Sequence, residues 1–231
     1  MSARLNQKFW RSYGKSEKEN SAIDPIESGF VKSLSRPETK MTGISFTANV
    51  REYGKQLEIF TELIPNLRSL AVLYDGRHPA AMISLGEIRK VAAYLKIRLS
   101  EMPVKTIQEA EQVVSSIQKS RIDGIYLVCS SLFADVTKPA EIAKRRKMPF
   151  HACTLDAVIS GAALFAYSRD FYAIGHRGAW YVDRIFKGRR PQDLPVETAT
   201  KFELAINLKT PNAIGATNPP EVLRRADEVI K

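Results

Sequence analysis

Two cysteines have the most distinctive chemistry of any residues in this 231-residue chain. Cys129 and Cys153 each end a predicted strand, and each is followed by hydroxyl residues, Ser130-Ser131 and Thr154. Two thiols that face each other could remove a proton from an amino-acid α-carbon and return it, one as thiolate base and one as thiol acid. A cysteine can equally pack as a small hydrophobic side chain. The pattern leaves open a two-cysteine, racemase-like enzyme and a purely structural role.

The ends of the predicted strands supply candidate ligand-binding residues. Ligands of open parallel sheets bind outside the carboxyl ends of the strands. The residues at these ends are rich in hydroxyl groups and aromatic rings but poor in fixed charge: Tyr74, Asp75, Ser130, Ser131, Thr154, Tyr167 and Ser168. Such a lining suits a small polar or amphipathic molecule held by hydrogen bonds and stacking. The same residue types also populate turns for backbone reasons alone, so each residue is a candidate rather than an assignment.

Short motifs for phosphate, metal or serine chemistry are missing from the sequence. It contains no G-x-x-x-x-G-K-[ST], G-x-G-x-x-G, H-E-x-x-H or G-x-S-x-G pattern. The three histidines are scattered, and His151 with Cys153 would supply only half of a metal site. We therefore expect no metal and no cofactor.

From residue 51 onward, helical and strand patterns alternate with a regular interval. The predicted strands cover 70–74, 97–102, 125–129, 149–153 and 163–167. The first four are spaced about 25–27 residues apart, and apolar residues at helical spacing separate them. Strands that alternate with helices of this size indicate β-α-β units and a parallel sheet covered on both faces. The predicted fold class is therefore α/β.

Local signals place further elements around this sheet. Thr106 and Glu109 form a predicted capping box, in which each side chain accepts from the other residue's amide. The longest predicted helix covers 170–187. A strand over 202–208 alternates apolar and polar residues, so that one of its faces is wetter. Asn218, followed by two prolines, is predicted to cap a last helix.

Composition and charge exclude several classes of protein. Two cysteines cannot build a disulfide scaffold or a four-cysteine zinc site, and no run approaches the roughly 20 apolar residues that cross a bilayer. The net charge of +10 permits an acidic partner. However, the densest basic runs, 144–147 and 187–190, lie near predicted helix ends, where the macrodipole favours cations. Without interleaved aromatic residues, these runs indicate a solvated surface and no nucleic-acid partner.

The C-terminal third closely resembles the ABC transporter substrate-binding family that includes tryptophan- and tyrosine-type uptake proteins. The segments that carry this resemblance are 179–188, 191–197, 200–210, Pro219-Pro220 and 225–230. It continues backward through 71–74, 62–65, 42–45, 33–34, 29–31 and 24–25. The resemblance therefore covers about residues 23 to 231.

This resemblance implies a type I periplasmic-binding-protein fold, in which two α/β lobes hold a small solute, such as an amino acid, in the cleft between them. It also implies that the lobes close about a hinge around the solute and that a membrane permease recognises the closed form. Such a protein makes and breaks no bond, does not insert into the membrane and is located in the periplasm. On this mapping Asp170 joins the candidate ligand residues. Ser168 stands where the family usually has glycine, which adds a side chain where the backbone would approach the ligand.

The resemblance also implies a domain organisation. Residues 46–162 and 196–231 would form a complete second lobe, whereas 23–45 and 163–190 would be the remnant of a first lobe. Residues 1–22 form an unrelated basic segment that lacks the apolar core of an export signal, and we expect it to be disordered. These features predict an N-terminally truncated member of the family, with apolar side chains of 23–36 and 170–187 left uncovered.

Overall fold

The computed structural model describes residues 25–26, 29–45, 50–209, 216–217 and 219–231. The chain divides into two units. The first unit takes its described residues from Met1–Ala48 and Arg169–Lys201, and the second from Asn49–Ser168 and Phe202–Lys231. The predicted disordered segment 1–22 and the predicted cap Asn218 lie outside the described residues.

Helices and strands alternate along the described chain. The strands are β1 (Gly43–Ser45), β2 (Ser69–Asp75), β3 (Arg98–Val104), β4 (Gly124–Leu127), β5 (His151–Ala152), β6 (Phe165–Arg169), β7 (Val196–Thr198), β8 (Phe202–Asn207) and β9 (Glu228–Ile230). The helices are α1 (Val50–Leu63), α2 (Pro79–Tyr94), α3 (Ile107–Ser116), α4 (Thr137–Arg145), α5 (Asp156–Ile159), α6 (Phe171–Phe186) and α7 (Pro220–Arg225). Short 3-10 turns cover Ser131–Phe133 and Pro191–Asp193. The predicted α/β class is confirmed.

A largely parallel sheet organises the second unit. Its strands follow the orders β3-β2-β4 and β5-β6-β8-β9, and a parallel bridge between Ile125 and Phe150 connects β4 to β5. The pairs β2–β3, β2–β4 and β5–β6 are all parallel. The carboxyl ends of β2 to β6 therefore share one edge of the sheet, and their amino ends share the other.

Strand β8 runs against this direction. The Asn207 amide at its end donates to the Leu164 carbonyl just before β6 (2.9 Å), and the Asn207 side chain donates to the Ala163 carbonyl (3.2 Å). Because the last residue of β8 lies beside the first residues of β6, the two strands are antiparallel. Strand β9 is parallel to β8, so both of them end at the edge where β2 to β6 begin.

Burial explains where each strand lies in the sheet. Every residue of β2 is buried, as its continuous apolar sequence predicted. Strand β3 is an edge strand with alternating exposure. The predicted strand 97–102 was too short at its end, because β3 continues through Pro103 to Val104. An edge strand tolerates proline since one side of its backbone has no neighbouring strand to bond.

Helices cover both faces of this sheet. One face packs its apolar residues against α3, α4 and α5 in a single buried cluster that includes Ala71, Leu73, Ile125, Leu127, Ala110, Val114, Ala140, Ala143 and Val158. On the other face α1 buries Leu57 and Phe60, and the Phe60 ring meets the Phe165 ring edge-on at 5.2 Å. The three layers hold the strand ends, and the loops that follow them, in fixed positions.

The predicted capping box at α3 is half correct. The Thr106 hydroxyl accepts from the Glu109 amide (3.1 Å), as predicted. The Glu109 carboxylate accepts from the Lys105 amide (2.7 Å) and not from the Thr106 amide. The carboxylate therefore satisfies an amide one residue further from the helix than the motif predicts.

The first unit contains the parallel pair β1–β7 and the helix α6. The Thr42 hydroxyl donates to the Leu194 carbonyl (3.0 Å), and Arg177 of α6 donates from Nε to Glu197 (2.8 Å) while its guanidinium lies over the Trp180 ring. Three large apolar side chains of α6 are exposed: Phe171, Tyr172 and Phe186.

The division between the units differs from the predicted one in two places. Residues 196–201 were predicted for the second lobe but belong to the first unit, where β7 pairs with β1. The other difference concerns residues 163–168. The sequence assigned them to the first lobe, but the structure gives them to the second unit. The reason is that β6 pairs with β5, with His151 beside Phe165 and Ala152 beside Ala166. The boundary therefore follows strand pairing and lies immediately after Ser168.

A fully buried histidine lies inside the second unit. The His151 ring is stacked on the Tyr126 ring (4.5 Å between centroids) and lies 5.0 Å from the Phe165 ring, and neither of its nitrogens has a hydrogen-bond partner in the described structure. Burial lowers the pKa of His151 from its ordinary 6.5 to about 3. The side chain is therefore neutral and packs as an aromatic ring.

We expect this histidine to make folding stability depend on pH. Between pH 6.5 and about 3 the unfolded chain binds a proton at His151 that the folded chain does not, so stability falls as pH is lowered through that window. The expected slope is about 1 kcal/mol per pH unit for one proton. His151→Phe should remove this contribution in urea unfolding measured at several pH values. His176→Phe, at an exposed histidine of α6, should keep the slope, and an unchanged slope in His151→Phe would contradict the prediction.

Two glycines should respond in opposite ways to alanine. A Cβ on Gly124 of β4 would lie 2.6 Å from the Phe60 ring, so Gly124→Ala should destabilise the fold by about 1–3 kcal/mol through overpacking. A Cβ on Gly86, inside α2, meets nothing within 4 Å. Gly86→Ala should stabilise the protein by about 0.5–1 kcal/mol. The melting temperatures of both variants test these two predictions. A Gly124→Ala protein as stable as the parent would refute the close packing of Gly124 against Phe60.

Candidate functional site

The ends of β2, β4, β5 and β6 form what we call the carboxyl edge of the second unit. Leu73 of β2 pairs with Leu127 of β4, and the Val128 amide donates to the Leu73 carbonyl (2.9 Å), so these two strands end side by side. The loops that follow carry the predicted residues Ser130, Ser131 and Thr154. The structure therefore places these residues along one edge, with Tyr74 and Asp75 at the end of β2 and Tyr167 and Ser168 in β6.

A disulfide bond joins two of these loops. Cys129 after β4 is bonded to Cys153 after β5, with 5.4 Å between their Cα atoms. Neither sulfur is a free thiol, so the hypothesis of a two-cysteine racemase was wrong: it requires one thiolate and one thiol. The bond instead fixes the segment with Ser130 and Ser131 next to the segment with Thr154.

Two serine hydroxyls at the carboxyl edge are buried without a hydrogen-bond partner. Within the described part of the chain, neither Ser130 Oγ nor Ser168 Oγ has a donor or acceptor nearby. Ser168 is 5% exposed, whereas Ser131, the candidate that follows Ser130 in the chain, is exposed. Buried polar groups are nearly always hydrogen-bonded, so both hydroxyls are free to bond a polar molecule that reaches this edge.

The acidic candidate on this edge is already neutralised. The Asp75 carboxylate accepts from the Arg77 amide (3.0 Å) and from Arg77 Nε (3.2 Å) across a tight turn. Burial would raise the pKa of Asp75, but the hydrogen bonds and the charge of Arg77 outweigh it and hold this pKa below its ordinary 3.8. Tyr74 is buried beside it. The edge therefore presents hydroxyls, amides and rings with little net charge from Asp75.

A buried glutamine that was not among the predicted site residues supports the edge from α1. Gln56 is 1% exposed; its amide nitrogen donates to the Tyr167 carbonyl (2.9 Å), and its oxygen accepts from the Tyr126 hydroxyl. Burial raises the pKa of Tyr126 well above 10, so this hydroxyl stays protonated. A polar residue beside Leu57 on the apolar stripe of α1 was the signal that could have found it. The bridge fixes the backbone of β6 at Tyr167.

The Tyr167 ring is the half-buried aromatic group of the edge. It stacks on the Phe202 ring of β8, with centroids 5.3 Å apart and planes 11° from parallel. Burial raises the pKa of Tyr167, so its hydroxyl is a neutral hydrogen-bonding group. A ring held in this way can offer its second face or its edge to a ligand.

Thr154 lines a small polar cavity beside the disulfide. The cavity has a volume of about 250 Å³ and is otherwise lined by Ala134, Asp135, Val136, Thr137, Asp156 and Ala157. The Asp135 carboxylate accepts from the Thr137 amide (3.0 Å), and this bond holds the pKa of Asp135 below its ordinary 3.8. Volumes of about 300–1,000 Å³ are usual for ligand pockets, so this cavity would hold part of a solute.

Asp170 belongs to the first unit and has partners of its own. It caps α6 by accepting from the Ala173 amide (2.7 Å), and it pairs with Lys201 Nζ (2.6 Å). The Lys201 hydrogen bond is the main reason why the pKa of Asp170 lies below its ordinary 3.8. These contacts give Asp170 a structural part, and a ligand contact for it stays a prediction.

Neither a metal-ligand cluster nor a membrane-spanning helix is seen in the described residues. Among them, no three His, Cys, Asp or Glu side chains gather in a group that could hold a metal ion. No helix of the described chain combines the length and apolarity needed to cross a bilayer.

A curated relative and two solved structures are similar to this chain. The relative is a tyrosine-binding protein of Clostridioides difficile, 27% identical over 192 residues that make up 83% of this chain and 54% of the relative. This chain therefore spans about half the length of that relative.

The structural comparisons identify the fold. A conserved domain protein from Vibrio cholerae is 27% identical and matches with a TM-score of 0.78 over 90% of this chain and 69% of its own. The ABC domain of Streptococcus pneumoniae in complex with L-Trp is 24% identical, with the same TM-score and coverage. The fold is that of the type I periplasmic binding proteins, as the sequence resemblance implied.

The family assignment rests on most of the chain. The model of the ABC transporter substrate binding proteins matches residues 20–230. This range includes the described strands and helices of both units and the candidate residues of the carboxyl edge. The chain belongs to the family of ABC transporter substrate binding proteins.

Proposed function

We propose that the carboxyl edge of the second unit binds an amino acid or a small solute of similar amphipathic character. The observation that supports this most directly is the pair of buried, unpartnered hydroxyls of Ser130 and Ser168. They lie along the same edge as the Tyr167 ring. An aromatic or other amphipathic amino acid offers polar groups to the hydroxyls and an apolar side chain to the ring.

The ligands associated with two of the similar proteins agree with this chemistry. One relative is named for tyrosine, and one solved structure contains L-Trp. Both ligands combine an ammonium and a carboxylate with an aromatic side chain. The family further supports solute binding without catalysis, and delivery of the solute to an ABC permease. Hinge closure between two lobes, which the sequence resemblance implies, stays a prediction.

The disulfide supports an extracytoplasmic location. Disulfide bonds persist in oxidising compartments and are rare where thioredoxin and glutathione keep thiols reduced. The Cys129–Cys153 bond lies within the candidate site, where reduction would release two of its loops. We propose that the protein works outside the cytoplasm, as members of its family typically do.

Thermal unfolding in the presence of single amino acids tests solute binding. We expect L-tyrosine or L-tryptophan to raise the melting temperature, since a ligand at 100 times its Kd stabilises a protein by about 2.7 kcal/mol. Ser168→Ala should weaken this binding about fivefold, the effect of losing one hydrogen bond of about 1 kcal/mol. The ligand-free variant should be as stable as the parent, because the removed hydroxyl has no partner. Isothermal titration measures the Kd values.

Ser115→Ala is the matched control for that experiment. Its hydroxyl is exposed on α3 and bonds only the Glu111 carbonyl (2.7 Å) in the described structure, away from the carboxyl edge. This variant should keep the parent Kd. If Ser168→Ala and Ser115→Ala bind equally well, the site is not at Ser168; if no amino acid stabilises the parent protein, the proposed ligand class is wrong.

The disulfide should contribute strongly to stability. Cys129 and Cys153 are 24 residues apart, and a loop of this size corresponds to about 3 kcal/mol in the chain-entropy model. The double variant Cys129→Ser/Cys153→Ser should unfold at correspondingly lower urea concentration. Thiol titration of the denatured, unreduced parent protein should detect no free cysteine. Two titratable thiols in protein purified from an oxidising compartment would contradict the bond.

A further inference from the structure

The edge opposite the candidate site carries an exposed strip of cations. We call this strip the basic edge; its residues precede β2, β3, β4 and β5: Arg68, Lys96, Lys119, Arg121, Arg145 and Lys147. All six side chains are exposed. They come from four separate connections between a helix and the next strand, so the chain sequence shows them as scattered charges. Only the parallel topology brings them to one edge.

Backbone hydrogen bonds between the strand starts show how close these loops lie. The Arg98 amide donates to the Arg68 carbonyl (2.8 Å), and the Asp123 amide donates to the Ser69 carbonyl (2.9 Å). The Ile125 amide donates to the Pro149 carbonyl (2.8 Å), which connects the next pair. Neighbouring strands lie about 4.8 Å apart, so four strand starts span only about 15 Å.

Acidic groups at this edge leave the positive charge largely uncompensated. The Asp123 carboxylate accepts from the amides of Arg68 and Ser69 (2.8 Å each) and from the Ser69 hydroxyl (2.9 Å). Glu62, at the end of α1, pairs with Arg225. Among the described residues, none of the six cations of the basic edge forms an ion pair.

The helix macrodipole explains only part of this strip. Cations in the last turn of a helix are favoured by the carbonyl ends there. Arg145 lies in the last turn of α4, but the last turns of α1, α2 and α3 contain no basic residue. Arg68, Lys119 and Arg121 lie in loops beyond the helices, where the dipole has fallen off. These charges therefore have no structural partner that accounts for them.

Two of the lysines occupy backbone positions that disfavour them. Lys96 follows α2 with φ of +58°, and Lys147 follows α4 with φ of +56°. Glycine or asparagine usually fills this left-handed position after a helix, because a Cβ is strained there. Lysine at both positions sacrifices stability and places a charge on the same edge. Such strain at two corresponding sites indicates that the charge has a use.

We propose that the basic edge is a peripheral docking surface for a bilayer that contains acidic phospholipids. Flexible Lys and Arg side chains from separate loops match a layer of anionic headgroups, which needs no fixed spacing between charges. Tyr94, 85% exposed at the end of α2 and two residues from Lys96, supplies an amphipathic ring of the kind found at membrane interfaces. A row of aromatic rings that could stack bases is not seen among the described residues of this edge.

This docking places the solute site away from the lipid. The basic edge lies where β2 to β5 begin, and the carboxyl edge lies where they end, so the same sheet separates the two. The inference is independent of the proposed solute, because it depends only on charge, exposure and strand direction. It holds the protein at the membrane by electrostatic attraction.

Flotation of the purified protein with lipid vesicles tests the proposal. The parent protein should float with vesicles that contain about one-third phosphatidylglycerol and not with pure phosphatidylcholine, and raised salt should release it. Lys96→Gly/Lys147→Gly should reduce bound protein about fivefold or more. Its melting temperature should be equal or higher, because glycine relieves both left-handed positions.

A charge-matched control separates the edge from total charge. Lys105→Gln/Lys138→Gln also removes two exposed lysines, but from the opposite edge. It should float like the parent protein. Should the double-glycine variant fail to fold, Lys119→Gln/Arg121→Gln removes two charges of the strip without changing a left-handed residue.

Several results would overturn the proposal. These are a parent protein that ignores phosphatidylglycerol, a control that loses as much binding as the basic-edge variants, and a preference for duplex DNA over vesicles at equal salt. Basic-edge variants should keep the parent response to L-tyrosine and L-tryptophan. If the parent protein ignores the vesicles but responds to an amino acid, only the membrane docking is wrong. If it binds the vesicles but responds to no amino acid, only the proposed solute binding is wrong.

Discussion

The common direction of β2 to β6 is the constraint on which the rest of this structure depends. Because the strands are parallel and buried by helices on both faces, only the two edges of the sheet remain for polar chemistry. One edge collects the ends of the strands, with their hydroxyls and rings. The other collects the ends of the preceding helices and the cations that follow them. Strand direction thus gives a single unit two chemically different edges.

Three kinds of bond hold the carboxyl edge in place before any ligand arrives. Strand pairing aligns β2 with β4, the Cys129–Cys153 bond ties the next two loops, and Gln56 holds the backbone at Tyr167 from the helix layer. Each bond orders a segment that a flexible site would have to order on binding. Preorganisation of this kind lowers the entropic cost of association. The unpartnered hydroxyls of Ser130 and Ser168 are therefore presented in fixed positions.

The sequence predicted the alternation of elements because buried parallel strands read as continuous apolar runs, as β2 does. It predicted the cap at Thr106 because capping is local. Properties that depend on distant residues were less accessible: the disulfide between Cys129 and Cys153, the burial of Gln56 and the pairing that assigns β6 to the second unit. The candidate residues of the carboxyl edge followed from strand ends alone. Which of their hydroxyls lack partners depends on side-chain packing, which no spacing rule encodes.

The proposed solute class agrees with the charge of the Asp75–Arg77 pair. Asp75 is matched by Arg77 within its own turn, so the carboxyl edge offers hydrogen bonds and rings with little uncompensated charge from this pair. An amino-acid zwitterion has a carboxylate that can accept from neutral hydroxyls and an ammonium group that can donate to carbonyls. A solute with a net charge would need a fixed counter-charge to offset its desolvation. The excess positive charge of the chain lies instead partly at the basic edge, across the sheet from the site.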